Sequence, residues 1–328
     1  MRFIIYGAGG VGGVIGAQLF RHDRDVILIA RGGHLRAIQD TGLRYETPDG
    51  AWTLPVPAVG HPREIEFGPA DVVILTMKTQ HTIGALADLR AAAGDGLPII
   101  SCQNSVSNEE MALRRFSRVY AMLVYLPAVS LEPGLVLSHA ATAKGVLDAG
   151  RYPHGIDDLI TDVTGVLDSS GFTARPTADV MRWKYGKLVR NLGNAVQALC
   201  RIDEASKPAL RELRQRLNAE AEACYSAAGI AWTSREEEEA RRAGHMAQAE
   251  IAGRPRGGGS TWQSIMRGTG NVEVDYLNGE IARLGRLYDV SVPANAVLQR
   301  LVTDLARNRG AAQTMDVEEV LAMIDAAD

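Results

Sequence analysis

Cysteine is scarce in this chain: three residues in 328, Cys102, Cys200 and Cys224, an odd number with no metal-type spacing. That argues against a disulfide framework and a cysteine-based zinc motif, and for reduced thiols in a cytoplasmic protein. The seven histidines (His22, His34, His61, His81, His139, His154 and His245) are scattered, with no H-x-H, HExxH or Cys/His cluster. Metal-free chemistry is therefore expected. An excess of positive charge is missing too. Lys and Arg number 35 against 39 Asp and Glu, a net charge of −4, which offers no footprint for nucleic acid. The longest apolar run, Val119–Val129, is too short to span a bilayer and is broken by Pro127. Phe3–Tyr6 is likewise too short for the apolar region of a signal peptide. A soluble protein with no membrane partner is expected.

What is present is 46% apolar and 23% charged residues, the balance of a globular protein, over a length that suits two domains. The chain opens with a short apolar strand, Arg2–Tyr6, followed by Gly7-Ala8-Gly9-Gly10-Val11-Gly12, which matches G-x-G-x-x-G and runs into a helix. In that context Gly7 permits the tight turn, Gly9 lets backbone approach a pyrophosphate, and Gly12 lets helix pack on strand. The pyrophosphate would sit on the helix N-terminus, where unpaired N–H groups and the dipole favour an anion. The second strand, Asp25–Ala30, ends in Arg31 rather than in the carboxylate that accepts from an NAD ribose. A guanidinium at that position favours a 2′-phosphate, hence NADP(H) over NAD, although an arginine there can also be a plain solvated charge.

Asp71–Met77 and Leu97–Cys102 are continuous apolar runs, the pattern of buried parallel strands. They deliver Lys78-Thr79-Gln80-His81 and Gln103-Asn104-Ser105 to the carboxyl edge, where doubly wound sheets bind ligands. His81 and Gln80 could touch a cofactor or cap the next helix. Helical segments at Thr82–Ala93 and Asn108–Arg115 alternate with these strands, indicating an α/β sheet of Rossmann type. The β-rich segments Val119–Leu126, Leu135–His139 and Lys144–Leu147 are expected to extend that sheet. From Pro176 onward strand patterns vanish. The expected division is a dinucleotide-binding domain over residues 1–175 and an all-helical domain over 176–328. The run Ser234–Arg242 reads as a solvated helix face, and Arg254–Ser260 as a loop. A homodimer through the helical domain is compatible with the pattern, but no apolar stripe is clearly surplus to the fold.

The first helix of the second half has an unusual stripe. Met181, Leu188, Leu192, Val196 and Leu199 share an apolar face, and beside them run Lys184, Lys187, Asn191 and Asn194. A stripe of two lysines and then two asparagines is not an ordinary mixed surface face.

Taken in order, GAGGVGG, MKTQHT, SCQNSVSNEE, WKYGKLVRN and NVEVDYLNGEIARLG resemble the ketopantoate reductase (2-dehydropantoate 2-reductase) family, from Arg2 to about Asn295. The resemblance implies an NADPH-dependent oxidoreductase of pantothenate biosynthesis, with its site in the cleft between the two domains and a 2-oxo acid as substrate. It implies that Lys187 is the catalytic lysine, with Asn191 one turn on, and that Glu273 binds the substrate hydroxyl. Asn104, after Gln103, would lie beside the nicotinamide, Arg31 and Lys78 near the 2′-phosphate, and Thr261 where a serine usually contacts the substrate carboxylate. A lysine ammonium can stabilise the developing alkoxide and donate the proton.

Plainer readings stand beside these. Lys184 and Lys187 could be snorkelling or surface lysines, Glu273 a helix-start acid, and Asn194 a packing amide or a substrate contact. Cys102 reads as a buried strand residue. The chain also departs from the family. Ser105 replaces the glycine of Q-N-G, Ala195 replaces the second helix asparagine (with Asn194 about 100° around the helix), and Thr261-Trp262 alters the serine position. The same scaffold acting on a different carbonyl or imine is therefore an alternative. A non-catalytic NADP(H) sensor is another, though it would need neither Lys187 nor Glu273.

Overall fold

A computed structural model describes residues 1–254, 257–268 and 270–327. The chain forms two compact units, residues 1–181 with 239–256, and residues 182–238 with 257–328. The division is therefore not a single cut near residue 175, because a segment from the helical half returns to the first unit. Of the loop expected over Arg254–Ser260, Pro255 and Arg256 lie outside the described residues, as does Thr269.

The first unit is built on a seven-stranded sheet. Its strands are β1 (Arg2–Tyr6), β2 (Asp25–Ile29), β5 (Ala58–Val59), β6 (Asp71–Leu75), β7 (Ile99–Ser101), β8 (Val119–Met122) and β11 (Ala149–Arg151), in the order β11-β8-β7-β6-β1-β2-β5. All pairings are parallel except β8 with β11. Arg2 fixes the start of the β1–β6 register, donating from Nε and Nη2 to the two carboxylate oxygens of Asp71 at 2.7 Å each. Alternate residues of β1 serve opposite cores. Phe3 and Ile5 pack with α1 (Gly10–Arg21) and α5 (Asp158–Ser169), whereas Ile4 packs with α3 (Thr82–Ala93) and α4 (Asn108–Leu113). Helices on both faces of a parallel sheet make the doubly wound architecture.

A second sheet was only partly foreseen. β3 (Leu43–Thr47) and β4 (Gly50–Leu54) form a hairpin, β10 (Leu135–Ser138) runs parallel to β3, and β9 (Ala128–Val129) pairs antiparallel with β10. Thus β8 extends the main sheet as expected, but Leu135–Ser138 does not. Lys144–Leu147 forms no strand, only bridges from Val146 to Tyr125 and Thr173. Helix α1 is wedged between the two sheets, and its glycines make that possible. A Cβ on Gly16 would lie 2.5 Å from Leu28 of the main sheet, and one on Gly13 2.5 Å from Val136 of the small one.

The returning segment 239–256 lies on the small sheet. Gln248 bridges Ala140, Ile251 joins Val129, Leu135 and Leu137, and Arg254 donates to Glu46 and Glu132. Arg241 donates to both oxygens of the buried Asp148 at 2.6 Å.

The second unit is helical, with α6 (Val180–Leu199), α7 (Lys207–Ala228), the first half of α8 (Arg235–Arg242), α9 (Ser260–Met266), α10 (Asn278–Tyr288), α11 (Pro293–Arg307) and α12 (Val317–Asp325). Helix α7 packs on α10, α11 and α12. Of the apolar positions read from α6, Leu188, Leu192, Val196 and Leu199 are buried and Met181 is half-buried; those of α7 (Leu210, Leu213, Leu217, Ala221, Cys224) are all buried.

Candidate active site

The first unit gathers several loops at one sheet edge because its strands run parallel. After β1 the chain turns at Gly7 (φ +107°), where a Cβ would lie 2.6 Å from the backbone nitrogen of Met77. Only glycine fits there. The Thr76 hydroxyl, 2.9 Å from the Gly7 carbonyl and 3.1 Å from that of Tyr6, fastens the turn to the end of β6. A Cβ on Gly12 would lie 2.3 Å from Thr76 Oγ1 and 2.4 Å from the Gly7 carbonyl, so helix and strand touch there. Gly9 differs: nothing lies within 4 Å of where its Cβ would be. Ala8 and Gly9 lead into the head of α1 at Gly10, Val11 and Gly12, and amides at a helix head have no partner within the helix. An open backbone face before such a head fits a dinucleotide pyrophosphate.

At the end of β2, Arg31 is exposed and caps α2 (Gly32–Thr41) with an extended backbone. At the end of β6, half-buried Lys78 heads the short turn Thr79–His81, and the His81 side chain does not cap α3. Gln103 is buried. Its amide nitrogen donates to the Met77 carbonyl at 2.9 Å and to the Thr82 hydroxyl at 2.8 Å. Thr82 donates on to Asn108 Oδ1 at 2.8 Å, and Asn108 Nδ2 donates to the Asn104 carbonyl at 3.0 Å and to Thr79 Oγ1 at 3.2 Å. This buried network joins the loops that follow β6 and β7, and with them Lys78 and Asn104. Ser105 has φ +75°, so a side chain occupies the left-handed backbone that the family's glycine would hold without strain.

In the second unit, Lys184 and Lys187 are buried, at 4% and 9% exposure. Neither is a surface lysine, and solvent is not where their stripe points. The opposite side of α6 explains the intervening Gly186. A Cβ there would lie 2.0 Å from Thr233 Oγ1 and 2.8 Å from Glu238 Oε1. Arg182 and Arg190, one turn to either side, grip the same segment. Arg182 donates to both carboxylate oxygens of Glu237 at 2.9 and 2.7 Å, and Arg190 to Glu238 at 2.9 Å. The acidic run is therefore a solvated face in part: Arg235, Glu236 and Glu239 are exposed, but Glu238 is buried and clamps α6.

Further along α6, Asn194 and Gln197 meet the start of α9. The Gly259 amide donates to Gln197 at 2.8 Å, and a Cβ on Gly259 would lie 3.1 Å from Asn194 Oδ1. Asn194 thus lies beside the loop that carries buried Thr261. Asn191 is half-buried, and Ala195 is 1% exposed. Trp262 packs over Gly257 and Gly258.

Glu273 is 6% exposed and stands at the N-cap position of the short turn Val274–Tyr276, with no side-chain capping bond to it. Desolvation of its guanidinium lowers the pKa of Arg267, an otherwise exposed residue, from its ordinary value, and the charge of Glu273 works the other way. Asn278, five residues on, donates to Asn295 at 3.0 Å and to the Leu192 carbonyl on α6 at 3.4 Å. Asn295 in turn donates to Glu220, which accepts the Ala294 and Asn295 amides that open α11. The segment carrying Glu273 is thereby tied to α6 next to Asn191.

All three cysteines are free and buried, and burial pushes Cys200 up to about 12 and Cys224 to about 11. Thiols so shifted stay protonated. Among the described residues no group of His, Cys, Asp and Glu could hold a metal, and no helix is long and apolar enough to cross a membrane.

Sequence reasoning did not find Thr76, Asn108, Glu238 or Arg267. Gly186 carried a signal, since mid-helix glycine costs about 1 kcal/mol and calls for a packing reason. Asn108, at the start of an apparent helix, carried none.

Residues 3–154 match the family described as ketopantoate reductase PanE/ApbA, and residues 179–306 match its C-terminal part. A 2-dehydropantoate 2-reductase of Pyrococcus horikoshii is 28% identical over 302 residues, covering 92% of this chain and 96% of its own. The crystal structure of a PanE/ApbA family ketopantoate reductase from Ralstonia eutropha is 28% identical with a TM-score of 0.76, covering 94% of this chain and 99% of that one. A D-mandelate dehydrogenase with NADH and anilino(oxo)acetate is 20% identical with a TM-score of 0.79, covering 94% and 99%, a likeness of fold.

Proposed function

The chain belongs to the ketopantoate reductase family of oxidoreductases, and on that premise we propose that it is a cytoplasmic NADPH-dependent reductase converting ketopantoate to pantoate. The observation that carries the reading is the burial of Lys187 on the polar stripe of α6. A cation is kept from water only where it has a task or a partner. The open face at Gly9 and the head of α1 would hold the pyrophosphate, and Arg31 with Lys78 the 2′-phosphate. When bound, the reduced nicotinamide supplies hydride to the C2 carbonyl carbon.

The Lys187 ammonium stabilises negative charge growing on the carbonyl oxygen and then gives that oxygen its proton. Hydride on carbon and proton on oxygen together complete the alcohol. Glu273 accepts a hydrogen bond from the substrate hydroxyl, Thr261 donates to the carboxylate, and Asn191 orients the lysine or the substrate. Lys184 adds positive charge on the same stripe, which favours an anionic substrate.

A second reading, the same chemistry on a different carbonyl or imine, is favoured by one observation. Ala195 is buried where the family has an asparagine, and Asn194 beside it lies against the Gly259 loop instead. Lys187→Ala should lower turnover by roughly 10²–10⁴-fold, the usual worth of a general acid, while leaving NADPH affinity nearly unchanged. Steady-state kinetics and dinucleotide titration check this together. Equal loss of both would sink the assignment of Lys187 as proton donor.

A further inference from the structure

His34, on the first turn of α2, touches the glycine loop from outside. Its Nδ1 lies 2.9 Å from the backbone nitrogen of Gly134, and its Nε2 lies 2.7 Å from the carbonyl oxygen of Ala8. A backbone N–H can only donate, so Nδ1 must carry the lone pair. Nε2 then carries the proton and donates to Ala8. The two partners fix both the neutral state and the tautomer, and burial, which lowers the pKa of His34, favours the same state.

Gly134 is itself a firm anchor. Its carbonyl accepts from the Arg44 amide of β3 at 2.8 Å, its φ is +74°, and a Cβ there would lie 2.8 Å from Ala37 of α2. On the other side of the ring, the Ala8 carbonyl belongs to the planar peptide that joins Ala8 to Gly9. The N–H of that peptide donates to the Gly7 carbonyl at 2.7 Å. With glycine on its carboxyl side, where φ is little restricted, such a peptide turns over more readily than one between two residues that carry a Cβ. A flip would exchange donor for acceptor beside the face where Gly9 leaves open space.

We propose that His34 is a positioning residue for dinucleotide binding, holding the Ala8–Gly9 peptide in one orientation from an anchor on the small sheet. The inference rests on the reading of the glycine loop as the cofactor cradle.

Because the peptide adjoins the pyrophosphate and not the 2′-phosphate, His34 serves NADPH and NADH alike. If it acted instead by placing Arg31, three residues earlier, NADPH would suffer more than NADH. His34→Phe keeps a planar ring and removes both hydrogen bonds. Titration of the whole protein with each dinucleotide should show both dissociation constants raised by the same factor, about five- to tenfold, the worth of one or two net hydrogen bonds. The Michaelis constant for cofactor should rise likewise, with kcat at saturating cofactor retained. His34→Gln, which keeps a donor and an acceptor, should restore binding to within about twofold.

Thermal unfolding without ligand separates loop positioning from general destabilisation. Should the phenylalanine variant not fold, His34→Asn, too short to reach both partners, should weaken both dinucleotides equally. Unchanged affinity in His34→Phe, a shift in the NADPH-to-NADH ratio, or a normally melting His34→Gln that stays weak would each overturn the inference. Wild-type protein that binds neither dinucleotide would overturn the cofactor reading itself.

Discussion

Ser105 holds a left-handed backbone, φ +75°, while its hydroxyl accepts from the Ser107 amide at 3.3 Å. A residue with a Cβ loses about 1–2 kcal/mol in that conformation relative to glycine, and two long local hydrogen bonds, from the Ser107 amide and to the Ser107 hydroxyl, return part of it. Ser105→Gly should therefore raise stability by about 1 kcal/mol, read as a shift in the denaturant midpoint at unchanged slope. Lower stability would mean that the serine contributes more through its hydroxyl than its backbone costs. Strain of this kind collects at functional loops, and this loop follows Asn104 directly. The departure was visible in the sequence as a serine at a glycine position. Its sign of φ was not, since a serine can sit in almost any turn.

At the scale of elements, α6 is defined by what grips its far side. Arg182, Gly186 and Arg190 follow one another at a spacing of four residues and meet Glu237, Thr233 and Glu238. That grip turns Lys184 and Lys187 to the other side of the helix. Gly186→Ala would place a methyl 2.0 Å from Thr233 Oγ1. Overpacking against such a fixed segment should cost about 1–3 kcal/mol, with activity falling as Lys187 is displaced. Chemical denaturation of the variant checks the first and kinetics on the soluble fraction the second. Unchanged stability would mean that the segment yields easily.

The same clamp shows where sequence reading stopped. An acidic run of four glutamates looks solvated because its partners, Arg182 and Arg190, lie about fifty residues away in the chain. The hairpin of β3 and β4 had a local signal, Thr47-Pro48-Asp49-Gly50 between alternating residues, of the kind that marks turns. By contrast α3 was legible to its last residue, because an apolar helix repeat ends at Gly94 with φ +75°.

Across the whole molecule, the fold class was legible because parallel strands buried on both faces leave continuous apolar runs, and because the glycine motif sits between a strand and a helix. The unit boundaries were less so. Residues 239–256 return to the first unit through Asp148, Glu46 and Glu132, polar partners that no periodicity announces. Within the candidate site, Lys187 and Glu273 stood out in the sequence through their motifs. Thr76, Asn108 and Glu238, which fasten the glycine turn, the loops after β6 and β7, and helix α6 through partners distant in the sequence, did not.

Purified protein mixed with ketopantoate, with NADPH and NADH in parallel and nicotinamide absorbance followed over time, tests the proposed reaction directly. Rapid oxidation with NADPH preferred is the predicted result. Tight NADPH binding with no turnover of ketopantoate would contradict the substrate assignment.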